Sequence, residues 1–169
     1  PYFWGEEKKY VLDALESTWI SDGTYINKFE STMEKILDAK HVITTSNGTT
    51  SLMLAYLTLG LGPGDEVIVP GFTFAAPANM VLAIGATPVF ADVDPDTWLL
   101  CPTSVAEKIT TKTKAIVPVH IYGNVCDMDK LRIIAEKYNL YIIEDVAEAA
   151  FSTYRGQQAG TLGDIGSFS

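Results

Sequence analysis

The sequence predicts an α/β fold, a mostly parallel sheet flanked by helices on both faces. Short apolar runs alternate with helical stretches from residue 41 onward. Those runs are apolar throughout rather than alternating, as strands buried on both faces are. The helix predicted over 127–138 carries Met128, Leu131, Ile134, Ala135 and Tyr138 in one stripe and keeps Asp129, Lys130, Arg132, Glu136 and Lys137 polar. A helix patterned in this way covers a sheet with its apolar side.

In chain order, helices are predicted over 6–16 and 26–38, the second with Ile26, Phe29, Met33, Ile36 and Leu37 at helical spacing. Between them Trp19-Ile20-Ser21-Asp22-Gly23-Thr24 breaks the pattern as a loop. His41-Val42-Ile43-Thr44 reads as a first strand, followed by a helix over 49–59, a strand over 66–69 and a helix over 75–84. The order repeats through a strand over 87–91, a short helix near 103–109, a strand over 115–119, the helix over 127–138 and a strand over 140–143. No internal repeat or low-complexity linker interrupts it.

A chain of 169 residues with 47% hydrophobic content suits one sizeable domain. Twelve Lys and Arg against 21 Asp and Glu give a net charge of -9, which repels phosphate backbones and argues against a nucleic-acid partner. No apolar run reaches the roughly 18 residues of a membrane span, and the first residues lack the basic and apolar regions of a signal peptide. No membrane partner is expected, and a cytoplasmic location is. Cys101 and Cys126 have no CxxC spacing and no histidine cluster beside them, so neither a metal site nor a disulfide framework is expected.

Ligands in open α/β sheets collect beyond the carboxyl ends of the strands, and three loops there carry chemistry. Thr45-Ser46-Asn47-Gly48-Thr49-Thr50-Ser51 leads into a helix. It reads equally as an anion cradle of amides and hydroxyls or as an ordinary N-cap by Ser46 or Asn47. Pro70-Gly71-Phe72-Thr73-Phe74 follows the strand over 66–69, and Phe74 is there either core or a stacking surface for a flat ligand. Glu144-Asp145-Val146-Ala147-Glu148 follows the last predicted strand, and a carboxylate there needs a cation, a metal or several donors. A protonated heterocyclic nitrogen serves that need as well as a metal does.

These loops closely resemble those of the DegT-type nucleotide-sugar aminotransferases, pyridoxal-phosphate enzymes of fold type I. The resemblance runs through Trp19-Ile20-Ser21-Asp22-Gly23, Ser46-Asn47-Gly48-Thr49, the stretch 62–70, Thr73-Phe74, the stretch 85–94, Pro118-Val119-His120-Ile121-Tyr122-Gly123, Glu144-Asp145 and the stretch 163–169. Each block is weak alone, and their order and spacing make the match strong. It implies an aspartate-aminotransferase-like large domain, incomplete over 1–169, with the C-terminal small domain absent.

The resemblance further implies that the backbone of Gly48 and Thr49 holds the phosphate of pyridoxal phosphate, with Ser169 adding a hydroxyl. Phe74 would stack on the ring, Asp145 would pair with the ring nitrogen and Glu148 would lie near the ring hydroxyl. Asp145 and Glu148 are the expected catalytic residues. His120 is expected to be a structural hydrogen-bonder, and Asp164 a brace for the loop around Ser169. The chain departs from the family where Glu148-Ala149-Ala150-Phe151 stands in place of a Gln or Glu followed by histidine, which weakens substrate inferences. The lysine that binds the cofactor covalently is expected a few residues beyond Ser169.

For the parent enzyme the resemblance implies transfer of an amino group from an amino-acid donor, glutamate, to the keto carbon of a nucleotide-linked 4-keto-6-deoxyhexose, carried out by a homodimer. Two other readings stay open at this stage: a 3-dehydratase of the same family using histidine in place of the lysine, and a non-catalytic binding or dimerisation module.

Overall fold

A computed structural model describes residues 2–169, which divide into two compact units, residues 2–44 and 45–169. In the first unit, helix α1 (Glu7–Glu16) and helix α2 (Thr24–Leu37) lie close to the predicted ranges. Gly23, at φ 138°, opens α2 in a backbone conformation that side-chain-bearing residues avoid. The two helices are joined by Tyr25, whose hydroxyl donates to Asp13 Oδ2 at 2.6 Å, and by a tilted pair of the Tyr10 and Tyr25 rings.

The strand predicted over residues 41–44 does not form. The amide and hydroxyl of Thr44 both donate to Glu30 Oε1 at 2.8 Å, so a side chain serves the polar groups that a neighbouring strand would otherwise serve.

The second unit is built on strands β1 (Glu66–Pro70), β2 (Thr87–Ala91), β3 (Thr113–Ile116) and β4 (Tyr141–Asp145), with a small hairpin of β5 (Thr153–Tyr154) and β6 (Gln157–Gln158), and a last strand β7 (Ile165–Ser167). Its helices are α3 (Gly48–Thr58), α4 (Ala76–Ala83), α5 (Pro102–Lys108) and α6 (Met128–Tyr138). The sheet runs in the order β2-β1-β3-β4-β7, and every pairing in it is parallel.

The apolar runs divide residue by residue between the two faces, as a pleated strand requires. Val67, Val69, Ala115, Val117 and Ile143 pack with Leu52, Tyr56 and Val81 of α3 and α4. Ile68, Ile116 and Ile142 pack on the opposite side with Val105, Met128 and Leu131 of α5 and α6. Helices therefore cover both faces, as the sequence predicts. The stripe on α6 faces the sheet through Met128, Leu131 and Ala135, and the helix starts at Asp127, whose carboxylate accepts from the Lys130 amide.

Strand β7 and the β5–β6 hairpin have no counterpart in the sequence reading. The stretch leading into β7, Gly163-Asp164-Ile165-Gly166-Ser167, has too few apolar side chains to show a period. Its glycines are there for close approach. A β-carbon on Gly163 would sit 2.7 Å from both Ile142 Cγ2 and Ile142 O, and one on Gly166 would strike the backbone of Gly160. Asp164 accepts the Ile142 amide at 2.8 Å and donates its own to Ile142 O, so it braces β7 to β4 at the strand's start. That is the opposite end of β7 from Ser169, which corrects the expected brace.

Gly166→Ala should lower the unfolding free energy by about 1–3 kcal/mol, the usual cost of forcing atoms into a packed interior. Urea denaturation measures it, with a lower midpoint and an unchanged slope expected, and an unshifted midpoint would contradict the close approach.

Candidate functional site

Parallel strands all deliver their carboxyl ends to one edge of the sheet, and the candidate residues gather along that edge. Asp145 closes β4 and is only 7% exposed. Its backbone is fixed on one side by its amide donating to Pro118 O at 2.9 Å and its carbonyl accepting from the His120 amide at 3.0 Å. Its carboxylate accepts one bond, from the Ala147 amide to Oδ1 at 3.1 Å, and among the described residues no donor reaches Oδ2. Burial pushes its pKa above the ordinary value of 3.8, against the lowering effects of the Ala147 amide and His120 and with a small addition from Glu148.

Asp145 stands in register with Ser167 of β7. The Ser167 hydroxyl approaches Gly48 O at 3.5 Å, and a β-carbon on Gly48 would lie 2.6 Å from Ser169 Cβ. One continuous path of neighbours thus joins the buried acid, the end of β7 and the opening of α3. Gly48, Ser169 and Asp145, far apart in sequence, share one end of the sheet.

Of the cradle-or-cap alternative, the opening of α3 forms the cap, and it keeps free the amides that a cradle would need. Asn47 is the N-cap: its side chain accepts from the Thr50 amide at 2.9 Å, and Thr50 Oγ1 accepts from the Asn47 amide at 3.3 Å. The box leaves the amides of Gly48 and Thr49 without an acceptor among the described residues. Two free N–H groups at the positive end of an eleven-residue helix attract an anion.

Phe74 lies between β1 and α4 and is 76% exposed, so it is not core. Its segment is tied to α3 because the buried Tyr56 of α3 donates its hydroxyl to Pro77 O at 3.2 Å. Tyr56 packs with Ile143, two residues before Asp145 on the same face of β4, and burial, with a smaller effect from the Asp145 charge, raises its pKa. Glu148 is exposed and held by the Tyr122 amide, which donates to Oε2 at 2.7 Å.

Glu144 shows what full satisfaction looks like. It is wholly buried, and its Oε1 accepts from the amides of Leu162 at 2.6 Å and Gly163 at 2.7 Å. Its Oε2 accepts from the Gly160 amide at 2.8 Å and from His120 Nε2 at 2.9 Å. His120 Nδ1 accepts from the Cys126 amide at 3.2 Å, so the imidazole carries its proton on Nε2. His120 is a structural hydrogen-bonder, as expected. Sequence reasoning grouped Glu144 with Asp145 and Glu148; only geometry separates the saturated carboxylate from the two that retain acceptor capacity. Both cysteines are free, and burial lifts the Cys126 thiol to about 12, which leaves it inert.

Two concavities lie elsewhere, one beside Arg132, Asn139 and Asp164 and one within the first unit beside Leu15, Trp19 and Tyr25.

The sequence pattern of the DegT/DnrJ/EryC1/StrS aminotransferase family matches residues 2–169. The GDP-perosamine synthase of Caulobacter vibrioides is 49% identical over 166 residues, covering 98% of this chain and 45% of that protein. Among solved structures, the aminotransferase from Psychrobacter cryohalolentis superposes with a TM-score of 0.96 at 43% identity, covering 100% of this chain and 43% of that one. NtdA from Bacillus subtilis, solved with bound cofactor PMP, superposes with a TM-score of 0.85 at 39% identity over 90% of this chain and 35% of that one. The chain spans just under half the length of the first two.

Two outcomes test this description. Because burial raises the pKa of Asp145 above its unfolded value, the folded state holds more protons between the two values, and stability falls as pH rises through that window. Asp145→Asn removes the buried charge and should raise the melting temperature of the ligand-free protein at about pH 7, by an increment that shrinks as pH falls toward 3.8. Thermal melts across that range check it, and a destabilised variant at neutral pH would contradict it. Glu144→Gln puts an N–H₂ group where two donors converge and should cost about 1–3 kcal/mol in chemical denaturation, the range for leaving a buried donor unsatisfied.

Proposed function

Because this chain belongs to the DegT/DnrJ/EryC1/StrS aminotransferase family over residues 2–169, we propose that it is the cofactor-binding part of a longer, pyridoxal-phosphate-dependent nucleotide-sugar aminotransferase. The observation that carries the reading is the pairing of a desolvated, under-coordinated acid with a two-amide anion cradle at one end of the sheet.

The residues present fit the cofactor on three counts. Asp145 offers a free carboxylate oxygen in a desolvated place, where a cationic N–H of a heterocycle both satisfies the oxygen and favours the charged form of the acid. The amides of Gly48 and Thr49 suit a phosphate, and the absence of a side chain on Gly48 lets Ser169 and its hydroxyl pack against the opening of the helix. Phe74 exposes a flat apolar face that burial under an aromatic ring would stabilise.

When bound, pyridoxal phosphate supplies an electron sink for a carbon that gives up a proton. Asp145 keeps the ring nitrogen protonated, because separating that proton from a buried carboxylate is costly. Gly48, Thr49 and the Ser169 hydroxyl hold the phosphate and so fix the ring's position along the sheet edge. Phe74 covers one ring face and excludes water from it. Glu148, oriented by the Tyr122 amide, would lie near the ring hydroxyl. The lysine that would hold the cofactor covalently follows Ser169 in this reading.

For the whole enzyme the reading is transfer of an amino group from glutamate to the keto carbon of a nucleotide-linked 4-keto-6-deoxyhexose, by a homodimer in the cytoplasm. Its support is the family and the near-half-identical relative named for the synthesis of an amino sugar linked to GDP.

In the full-length protein, Asp145→Ala should weaken pyridoxal phosphate binding by at least about 100-fold, since removing one partner of a buried charged pair costs about 3–5 kcal/mol. Phe74→Ala should weaken it by roughly tenfold, the order of one aromatic stacking contact. Titration followed by visible absorbance measures both, and an Asp145→Ala protein that binds as tightly as the parent would sink the assignment.

A further inference from the structure

Three large aromatic side chains that the cofactor reading does not use stand in a row along the same sheet edge. Phe72 follows β1, Trp98 stands in the loop after β2 and Tyr122 follows β3. The Phe72 and Trp98 ring centroids are 5.6 Å apart with planes at 77°, and those of Trp98 and Tyr122 are 6.1 Å apart at 64°. These near-perpendicular neighbours buttress the indole, yet neither lies flat on it. Phe72 remains 46% exposed, Trp98 49% and Tyr122 69%.

The exposure is built in. Trp98 and Tyr122 both adopt positive φ, 62° and 55°, a left-handed conformation that costs a bulky residue on the order of 1 kcal/mol or more and persists only where the surroundings enforce it. The Trp98 loop is laced by Asp94, whose Oδ1 accepts from the Asp96 amide, the Thr97 amide and the Thr97 hydroxyl. The Asp94 carbonyl accepts from the Trp98 amide at 2.7 Å, and its amide donates to Leu99 O at 2.8 Å. Tyr122 is held by its amide bond to Glu148, and this bond makes the row continuous with the proposed cofactor site.

We infer that Phe72, Trp98 and Tyr122 form a preorganised shelf on which the nucleobase of the nucleotide-linked substrate stacks. Every base offers a flat π-face, and aromatic stacking recognises it without charge. The carboxylates of Asp94 and Asp96 beside Trp98 disfavour an anionic group there, so an uncharged ring fits the shelf and the diphosphate does not. The inference rests on the nucleotide-sugar reading for its ligand, and its position beside Glu148 rests on the observed hydrogen bond alone.

The test uses the full-length, cofactor-loaded protein and free GDP and dTDP as probes. Trp98→Ala and Phe72→Ala should each weaken nucleoside diphosphate binding by about tenfold or more and raise the KM for a nucleotide-linked keto sugar, with kcat held. Trp98→Phe should restore most of the affinity, and the tryptophan fluorescence quenched by nucleotide in the parent should lose its nucleotide response in Trp98→Phe. Nucleotide affinity within twofold of the parent in Trp98→Ala overturns the inference, and does so in favour of a second copy as occupant when light scattering shows the variant falling to a smaller assembly. The glutamate half reaction, which needs no sugar, separates this from the parent reading: its absence in the unmodified enzyme defeats the aminotransferase proposal, while intact donor chemistry with unchanged nucleotide binding defeats only the shelf.

Discussion

The buried Glu144 carboxylate is the constraint on which the rest of the carboxyl-end geometry depends. An ionised carboxylate has acceptor capacity for about four donors, and here four arrive: three amides from residues 160, 162 and 163 and the Nε2 proton of His120. The three amides belong to the segment that returns the chain from the β5–β6 hairpin to β7. Glu144 thereby lays β7 beside β4, which is what brings Ser167 into register with Asp145 and Ser169 against Gly48. Through His120 and its bond from Cys126 the same carboxylate holds the segment that ends in Tyr122, and so reaches Glu148.

Glu144 and Asp145 are neighbours on one strand with opposite fates, and the pleat explains why. Successive side chains point to opposite faces, so Glu144 turns to the side of the 159–163 segment while Asp145 turns to the side of α3. The first meets a set of converging amides; the second accepts from one amide, that of Ala147. A carboxylate left short of donors in a desolvated place raises the free energy of the ligand-free fold. That cost is retained only where a ligand offsets it, which is the physical sense in which Asp145 marks the site and Glu144 marks the scaffold.

Much of this was legible in the residues. The runs at 66–69 and 140–143 are apolar without alternation because helices cover both faces, and that signature is local, whereas the edge strand over 87–91 shows the same run though only Ala91 is buried. The cradle at Gly48 and the acid at Asp145 were legible because strand ends are where such groups act. What escaped was decided by tertiary context. His41-Val42-Ile43-Thr44 has the composition of a strand, yet Glu30 serves the Thr44 amide and no ladder forms. Strand β7 was hidden because Gly163 and Gly166 contribute to packing through the absence of a side chain, which hydrophobic patterning cannot register. Phe72, Trp98 and Tyr122 lie in three loops with no common period, so their alignment exists only once parallel strands bring three carboxyl ends to one edge.

Exposure along that edge is not looseness. The segments that present apolar rings to solvent are also among the most heavily hydrogen-bonded: the Asp94 turn beneath Trp98 and the Tyr122–Glu148 bond. Trp98 and Tyr122 are held at positive φ, a strain that persists only where the surroundings enforce it. Rigid presentation of unsatisfied groups lowers the entropy lost on association, so the same bonds that cost stability in the free chain favour binding. Asp145, with one carboxylate oxygen unused, follows the same rule in the polar register. At the one edge where the parallel topology brings several loops together, the fold sets the strained Trp98 and Tyr122 on the same side as an under-coordinated, desolvated acid, while the sheet holds the regular, saturated interactions.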